Sequence, residues 1–268
     1  MSNYKLQEVA LMQVKEEQLS EAESRFVIEP LSPGFGLTVG NALRRVLLSS
    51  LEGAAITSIR IDGVSHEFST IKGVKEDVVD LILNLKQVRI KLDSDDSQII
   101  VLDSKKEGLI KAGDFKCPTG VEIVNKDLVL GEIVKGGKIL LEATVEKGRG
   151  YVATESRKED KLPIGVIAID SNFSPIKKIN FQTENTRVGK MTNFDKLILE
   201  IGTDGTIAPK DALEYASTII VEHFAIIAGN APIVETSEEV IEDEATEEVA
   251  EEAPKAKKTT KKTPKADK

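Results

Sequence analysis

Leu31-Ser32-Pro33-Gly34-Phe35-Gly36-Leu37-Thr38-Val39-Gly40-Asn41-Ala42-Leu43-Arg44-Arg45-Val46-Leu47-Leu48-Ser49-Ser50 is the stretch on which the fold turns. Before it, Phe26-Val27-Ile28-Glu29 reads as a strand ended by Pro30 and by Ser32-Pro33-Gly34. From Phe35 or Gly36 the apolar period becomes helical and runs to Leu51, with Gly53 closing it. On a wheel at about 100° per residue, Val39, Ala42, Leu43, Val46, Leu47 and Leu51 fill roughly half the circumference. Thr38, Asn41, Arg45 and Ser49 lie opposite, Arg44 is on the boundary, and Leu48 sits beside Asn41 and Arg45. A helix packed on one sheet needs a narrower stripe.

The carboxy-terminal part of the chain carries a similar helix, expected from Pro209 to about Ala228, with Pro in its first turn and Gly229-Asn230 beyond its end. Leu213, Ala216, Ile220, Phe224 and Ile227 make one apolar stripe; Tyr215, Ile219 and Ile226 make a second beside it. Two helices this apolar predict either deep burial in a monomer or a second partner, and a homodimer is the simplest such partner. Between them, Val74, Val78, Leu81, Ile82 and Leu85 mark a shorter helix. Strands are expected at 54–62, 88–92, 98–102, 121–124, 139–145, 164–170, 176–181 and 196–201, separated by Gly and Asp-Gly turns. The layout is α+β.

The chain has 268 residues, 36 basic and 45 acidic, for a net charge of −9. Eleven carboxylates and seven lysines leave −4 on residues 235–268, and hence −5 on the remainder. An acidic body lacks the electrostatic footprint of a general nucleic-acid binder. The tail from 231 reads as disordered, acidic to Glu252 and then lysine-rich from Lys255. One cysteine, Cys117, excludes a disulfide framework, and the absence of an apolar leader or of a run near 18 apolar residues predicts a cytoplasmic protein without a membrane span.

Catalytic chemistry is missing from the pattern. Gly34, Gly36 and Gly40 lie between strand and helix, but position 39, where a dinucleotide fingerprint needs glycine, is Val39. The glycines therefore read first as a tight turn and close helix packing, with phosphate or nucleotide binding as the rival. His66, expected on a strand edge, and His223, expected part-buried on the last helix, have no metal-ligand spacing, and no cofactor is predicted. A second rival is a DNA-binding regulator using the lysine tail.

The run from Leu31 to Ser50 closely resembles the amino-terminal domain of the bacterial RNA polymerase alpha subunit family. So do Ile61-Asp62-Gly63-Val64-Ser65-His66-Glu67-Phe68-Ser69-Thr70, Val74-Lys75-Glu76-Asp77 on to Leu83-Asn84-Leu85-Lys86, Gly148-Arg149-Gly150-Tyr151, Phe173-Ser174-Pro175-Ile176 and Asp204-Gly205-Thr206-Ile207. The resemblance covers roughly Tyr4 to Asn230. It implies a discontinuous dimerisation domain, 1–52 with 180–230, and an inserted β-rich domain, 53–179. It further implies a non-catalytic homodimeric scaffold that recruits the beta and beta-prime subunits, with omega and sigma in the full assembly. By resemblance, the dimer interface falls on Phe35, Val39, Leu43, Val46, Ile220, Phe224 and Ile227. The beta contact falls on Arg44, Arg45 and Leu48, and the beta-prime contact on Lys86, Phe173 and Ser174. Family members usually continue into a compact DNA-binding domain; here only the charged tail follows, so direct DNA contact is not expected. Ala208 stands where a capping Asp is expected before Pro209, which predicts a frayed start to the last helix.

Overall fold

The computed structural model describes residues 12–157, 163 and 165–229. The chain is mixed α+β. Its first sheet is antiparallel and four-stranded, in the order β1 (Gln13–Gln18), β2 (Glu23–Leu31), β14 (Met191–Thr203), β13 (Ile176–Val188). Alternation along β2 decides which face is covered. Ser24, Phe26 and Ile28 are buried and oppose Ile201, Leu199 and Leu197 of β14. Helices α1 (Phe35–Ser49) and α3 (Pro209–Ile227) lie on that face, and they share one apolar cluster with the strands. Phe26, Leu43, Leu47, Leu51, Ile176, Ile179, Leu199, Ile201, Ala212 and Ala216 form its buried part.

Proline 30 does not end β2. The strand continues to Leu31 through a cis Glu29–Pro30 peptide. Between the Ile28–Leu197 and Leu31–Asp195 pairs, two residues of β2 (Glu29 and Pro30) stand against one of β14 (Lys196), so a bulge takes Pro30, which has no N–H, out of the ladder.

The second sheet runs β5 (Gln98–Ser104), β9 (Ile139–Arg149), β3 (Glu52–Ile61), β4 (Ile90–Leu92), β7 (Val121–Ile123), and β11 (Val166–Ala168) also pairs with β3. Two short ribbons flank it, β6 (Gly108–Lys111) with β8 (Val129–Ile133) and β10 (Tyr151–Val152) with β12 (Ser171–Asn172). Helix α2 (Val78–Leu85) buries Val78, Leu81, Ile82 and Leu85, the i, i+3, i+4, i+7 face, into a core with Ile59, Ile90, Leu102, Leu130, Leu141 and Val145. Asp77 caps it, its carboxylate accepting from the Asp80 N–H at 2.8 Å. Val74 falls before the helix, bridged to Ile133, because the cap at Asp77 starts the helix later than the apolar spacing alone implies. Gly53 likewise belongs to β3, not to the end of α1.

Glycines set how closely α1 approaches its sheet. Gly34 holds φ +84° at the turn into the helix. A Cβ on Gly40 would stand 2.6 Å from the Phe181 ring, and one on Gly36 3.0 Å from both Asp195 and Thr183. Gly34 offers no side-chain cap, and Asp195 on β14 supplies one instead, its Oδ2 accepting from the Gly36 N–H at 3.0 Å. At α3 the expected cap is absent, with Ala208 at the N-cap and Pro209 at the first position. Asp211 still places a negative charge in the first turn, where the helix dipole favours it.

Candidate functional site: three outward faces

The glycine-rich turn is closed to phosphate. The Gly36 N–H that would face an anion is already bonded to a carboxylate, and the space beside Gly36 and Gly40 is filled by Asp195, Thr183, Phe181 and Leu197. The nucleotide-binding alternative finds no support in this turn. His66 lies in a turn, its ring beside the Ser69 hydroxyl, and not on a strand edge. His223 is exposed, with Nδ1 at 2.7 Å from the Ile219 carbonyl one turn back. Residues 231–268, with the lysine tail, lie outside the described residues.

The first face is apolar. From Val221 onward α3 outruns the cover given by the other described residues. Phe224 is 62% exposed and Ile227 80%, and Val221 and Ile226 are exposed as well. Only Ala212, Ala216 and Pro209 are fully buried on this helix, with Leu213, Ile219 and Ile220 half-buried beside them. Phe35 at the start of α1 is exposed, and Val39 and Val46 are half-buried. Leu43 differs from the rest of the expected interface set. At 5% exposed it belongs to the core of its own chain, because its position faces the sheet between Gly40 and Leu47. It can support an interface from beneath but cannot form one.

The second face is the outer side of α1. Arg44, Arg45 and Leu48 are all exposed, and neither arginine makes a salt bridge among the described residues. Ser49 donates to the Arg45 carbonyl at 2.8 Å. The side chains of this face are therefore free to meet a partner.

The third face joins the end of α2 to the β10–β12 ribbon. Lys86 Nζ lies 3.2 Å from Asp170 Oδ2, and Asp170 Oδ1 accepts from the Thr154 N–H at 2.8 Å. The backbone N–H of Thr154, and then the Lys86 ammonium, hold the Asp170 carboxyl down from its ordinary 3.8 to about 2. Phe173, expected as a contact, is 4% exposed and points inward. Its ring covers Gly148 and its carbonyl approaches Gly53, two glycines that oppose each other across β9 and β3. Ser174 is half-buried, its N–H donating to Asn172 Oδ1 at 3.2 Å. Sequence reasoning missed Asp170 because an isolated aspartate after a strand carries no signal of a partner eighty-four positions away.

The depressed Asp170 carboxyl makes a testable pH dependence. Its stabilisation is fully present above its unfolded value near 4 and is lost as pH falls toward 2. Asp170→Asn is expected to remove about 1–2 kcal/mol at neutral pH, discounted for partial exposure. The gap between wild type and variant should close between pH 4 and 2 in urea titrations; a gap independent of pH across that window would refute the assignment.

These faces sit on a chain whose relatives are known. Residues 59–174 match the family model described as the RNA polymerase Rpb3/RpoA insert domain. The chain is 48% identical over 237 residues to the DNA-directed RNA polymerase subunit alpha of Moorella thermoacetica, covering 88% of this chain and 76% of that protein. To the subunit of the same name from Carboxydothermus hydrogenoformans it is 51% identical over 219 residues, covering 82% and 70%. To that from Symbiobacterium thermophilum it is 49% identical over 223 residues, covering 82% and 71%. The class is thus an α+β protein with an RNA polymerase insert domain. More narrowly, the chain belongs to the bacterial DNA-directed RNA polymerase alpha subunit family.

Proposed function

We propose that this chain is a homodimeric assembly scaffold of a DNA-directed RNA polymerase, a nucleotidyltransferase complex, and supplies no catalytic residue to it. In this reading residues 1–52 and 180–230 form the dimerisation domain and 53–179 the inserted domain, in a cytoplasmic complex. The observation that carries it is the apolar end of α3. A folded chain that leaves Phe224, Ile226 and Ile227 uncovered, in a family named for one subunit of a larger enzyme, needs a protein partner there. The dimer contact uses Phe35, Val39, Val46, Ile220, Phe224 and Ile227. The beta subunit docks on Arg44, Arg45 and Leu48, and beta-prime on Lys86 and Ser174, with Phe173 acting from beneath. Twofold symmetry presents each face twice while each large subunit binds once, so one protomer meets beta and the other beta-prime.

Among the described residues no helix is long and apolar enough to cross a membrane, and no group of three or more His, Cys, Asp or Glu is placed to hold a metal ion.

Arg45→Ala tests the beta contact. An unpaired, exposed arginine beside a leucine has the makings of an interface anchor, its planar donors and its stem burying together. Truncation is expected to leave the dimer intact and weaken capture of purified beta by about 30-fold, or about 2 kcal/mol. Unchanged affinity would refute that role.

A further inference from the structure

The third face holds an exposed aromatic that the scaffold reading has not used. Tyr151 is 65% exposed on β10, directly opposite Asn172 on β12. Its neighbour in the ribbon, Val152, pairs with Ser171, which is buried and donates to the Ile56 carbonyl at 2.8 Å. Ser171 therefore faces the sheet, and strand alternation turns Tyr151 and Asn172 outward. The backbone under the ring is tied down on both sides. The Phe173 N–H donates to the Gly150 carbonyl at 2.8 Å, the Thr154 N–H is held by Asp170, and Asn172 holds the Ser174 N–H.

We infer that Tyr151 is the aromatic anchor of the beta-prime docking face, a role that buried Phe173 cannot fill. The inference rests on the scaffold reading above and deepens it. An exposed tyrosine on a pinned ribbon has little freedom to lose on binding and a large apolar face to bury, the combination found at interface hot spots. Two cations of this face are already paired within the chain: Lys86 with Asp170, and Arg149 with Glu52. The complementary surface is therefore an apolar pocket of the large subunit with a polar rim, not an acidic patch. Ser174 and the Lys86–Asp170 pair form the matching rim on this side.

The test uses the full-length dimer bound to beta and titrated with purified beta-prime. Tyr151→Ala is expected to raise the dissociation constant about 10- to 100-fold, while Tyr151→Phe, which keeps the ring, stays within about threefold. Dimer mass and melting temperature of both should match wild type, since the side chain is exposed; Tyr151→Gln replaces the alanine variant if it alone melts early. Binding of Tyr151→Ala within twofold of wild type overturns the anchor. Lys86→Ala and Ser174→Arg in the same assay separate the two levels. If they weaken binding while Tyr151→Ala does not, the anchor alone is wrong. If none of the variants weakens binding, the docking face is wrong and the anchor falls with it.

Discussion

A chain carrying both Phe224→Asp and Ile227→Asp is expected to sediment as a folded monomer at micromolar concentration, where the unsubstituted chain is expected to sediment as a dimer. Both side chains are exposed in the single chain, so neither substitution opens a cavity, and the core beneath, with Leu43, Leu47, Ala212 and Ala216, is untouched. In the dimer the same positions would be desolvated. Burying an isoleucine or phenylalanine side chain contributes about 1.5–3 kcal/mol, and an unpaired carboxylate in its place adds a desolvation cost. Twofold symmetry makes each substitution act twice. The dissociation constant should therefore rise by at least about a thousandfold, or about 4 kcal/mol.

Stability follows by linkage. Dimerisation stabilises the folded chain only at concentrations above the dissociation constant, so the unsubstituted chain should melt higher as it is concentrated. The double variant should melt at one temperature over the same range. A variant that keeps the dimer mass at micromolar concentration would sink the assignment of α3 to the interface. Downstream, the monomer should also fail to gather both large subunits, because each protomer then offers its faces alone.

How much of this was legible in the sequence depended on period length. Helix α1 is long enough for its apolar arc to be read residue by residue, and Leu43 and Leu47 lie where the arc put them, under the helix. The same is true of α2, but of the stripe expected on α3 only Ala216 is buried, and it runs on to exposed Phe224 and Ile227. Sheet elements shorter than a few residues left no trace: β10 and β12 have two residues each, and β1 is exposed along its whole length, so no alternation marks it. Pro30 misled because the bulge that accommodates it, two residues of β2 against one of β14, exists only in the pairing of strands far apart in the chain. Leu43 and Phe173 were given contact roles by resemblance alone, and the third dimension buries both. Pairs such as Lys86 with Asp170 and Gly53 with Phe173 join residues far apart in the chain, where a single sequence has no way to signal proximity.

That last pair carries the second large effect, the expected loss of about 3 kcal/mol or more of stability in Gly53→Ala. Gly53 does not lie in the left-handed region, so an alanine there meets no backbone strain of its own. The obstacle is space. A Cβ at this position would stand 1.9 Å from the carbonyl oxygen of Phe173, well inside van der Waals contact, and a backbone atom cannot swing aside as a side chain can. Either β3 or the 173–175 segment must shift by more than an ångström, and both are held: β3 by its ladder to β9, the segment by the Phe173 N–H to Gly150 and the Pro175 carbonyl to the Asp204 N–H. Gly148, opposite Gly53, meets the Phe173 ring at 2.8 Å, and a ring can tilt, so Gly148→Ala should cost less, about 1–3 kcal/mol. Gly63 provides the contrast. It has φ +77° and open space, and Gly63→Ala should cost only about 1–2 kcal/mol from conformation alone. Urea midpoints should therefore fall in the order Gly63→Ala, Gly148→Ala, Gly53→Ala, the last lowest. Should Gly53→Ala prove as stable as Gly63→Ala, the close seat of the Phe173 segment on β3 would be wrong, and with it the support beneath Ser174 and Asp170. If the order holds, beta-prime capture should fall with Gly53→Ala even under conditions where the variant is fully folded, because the displaced segment carries the third face with it.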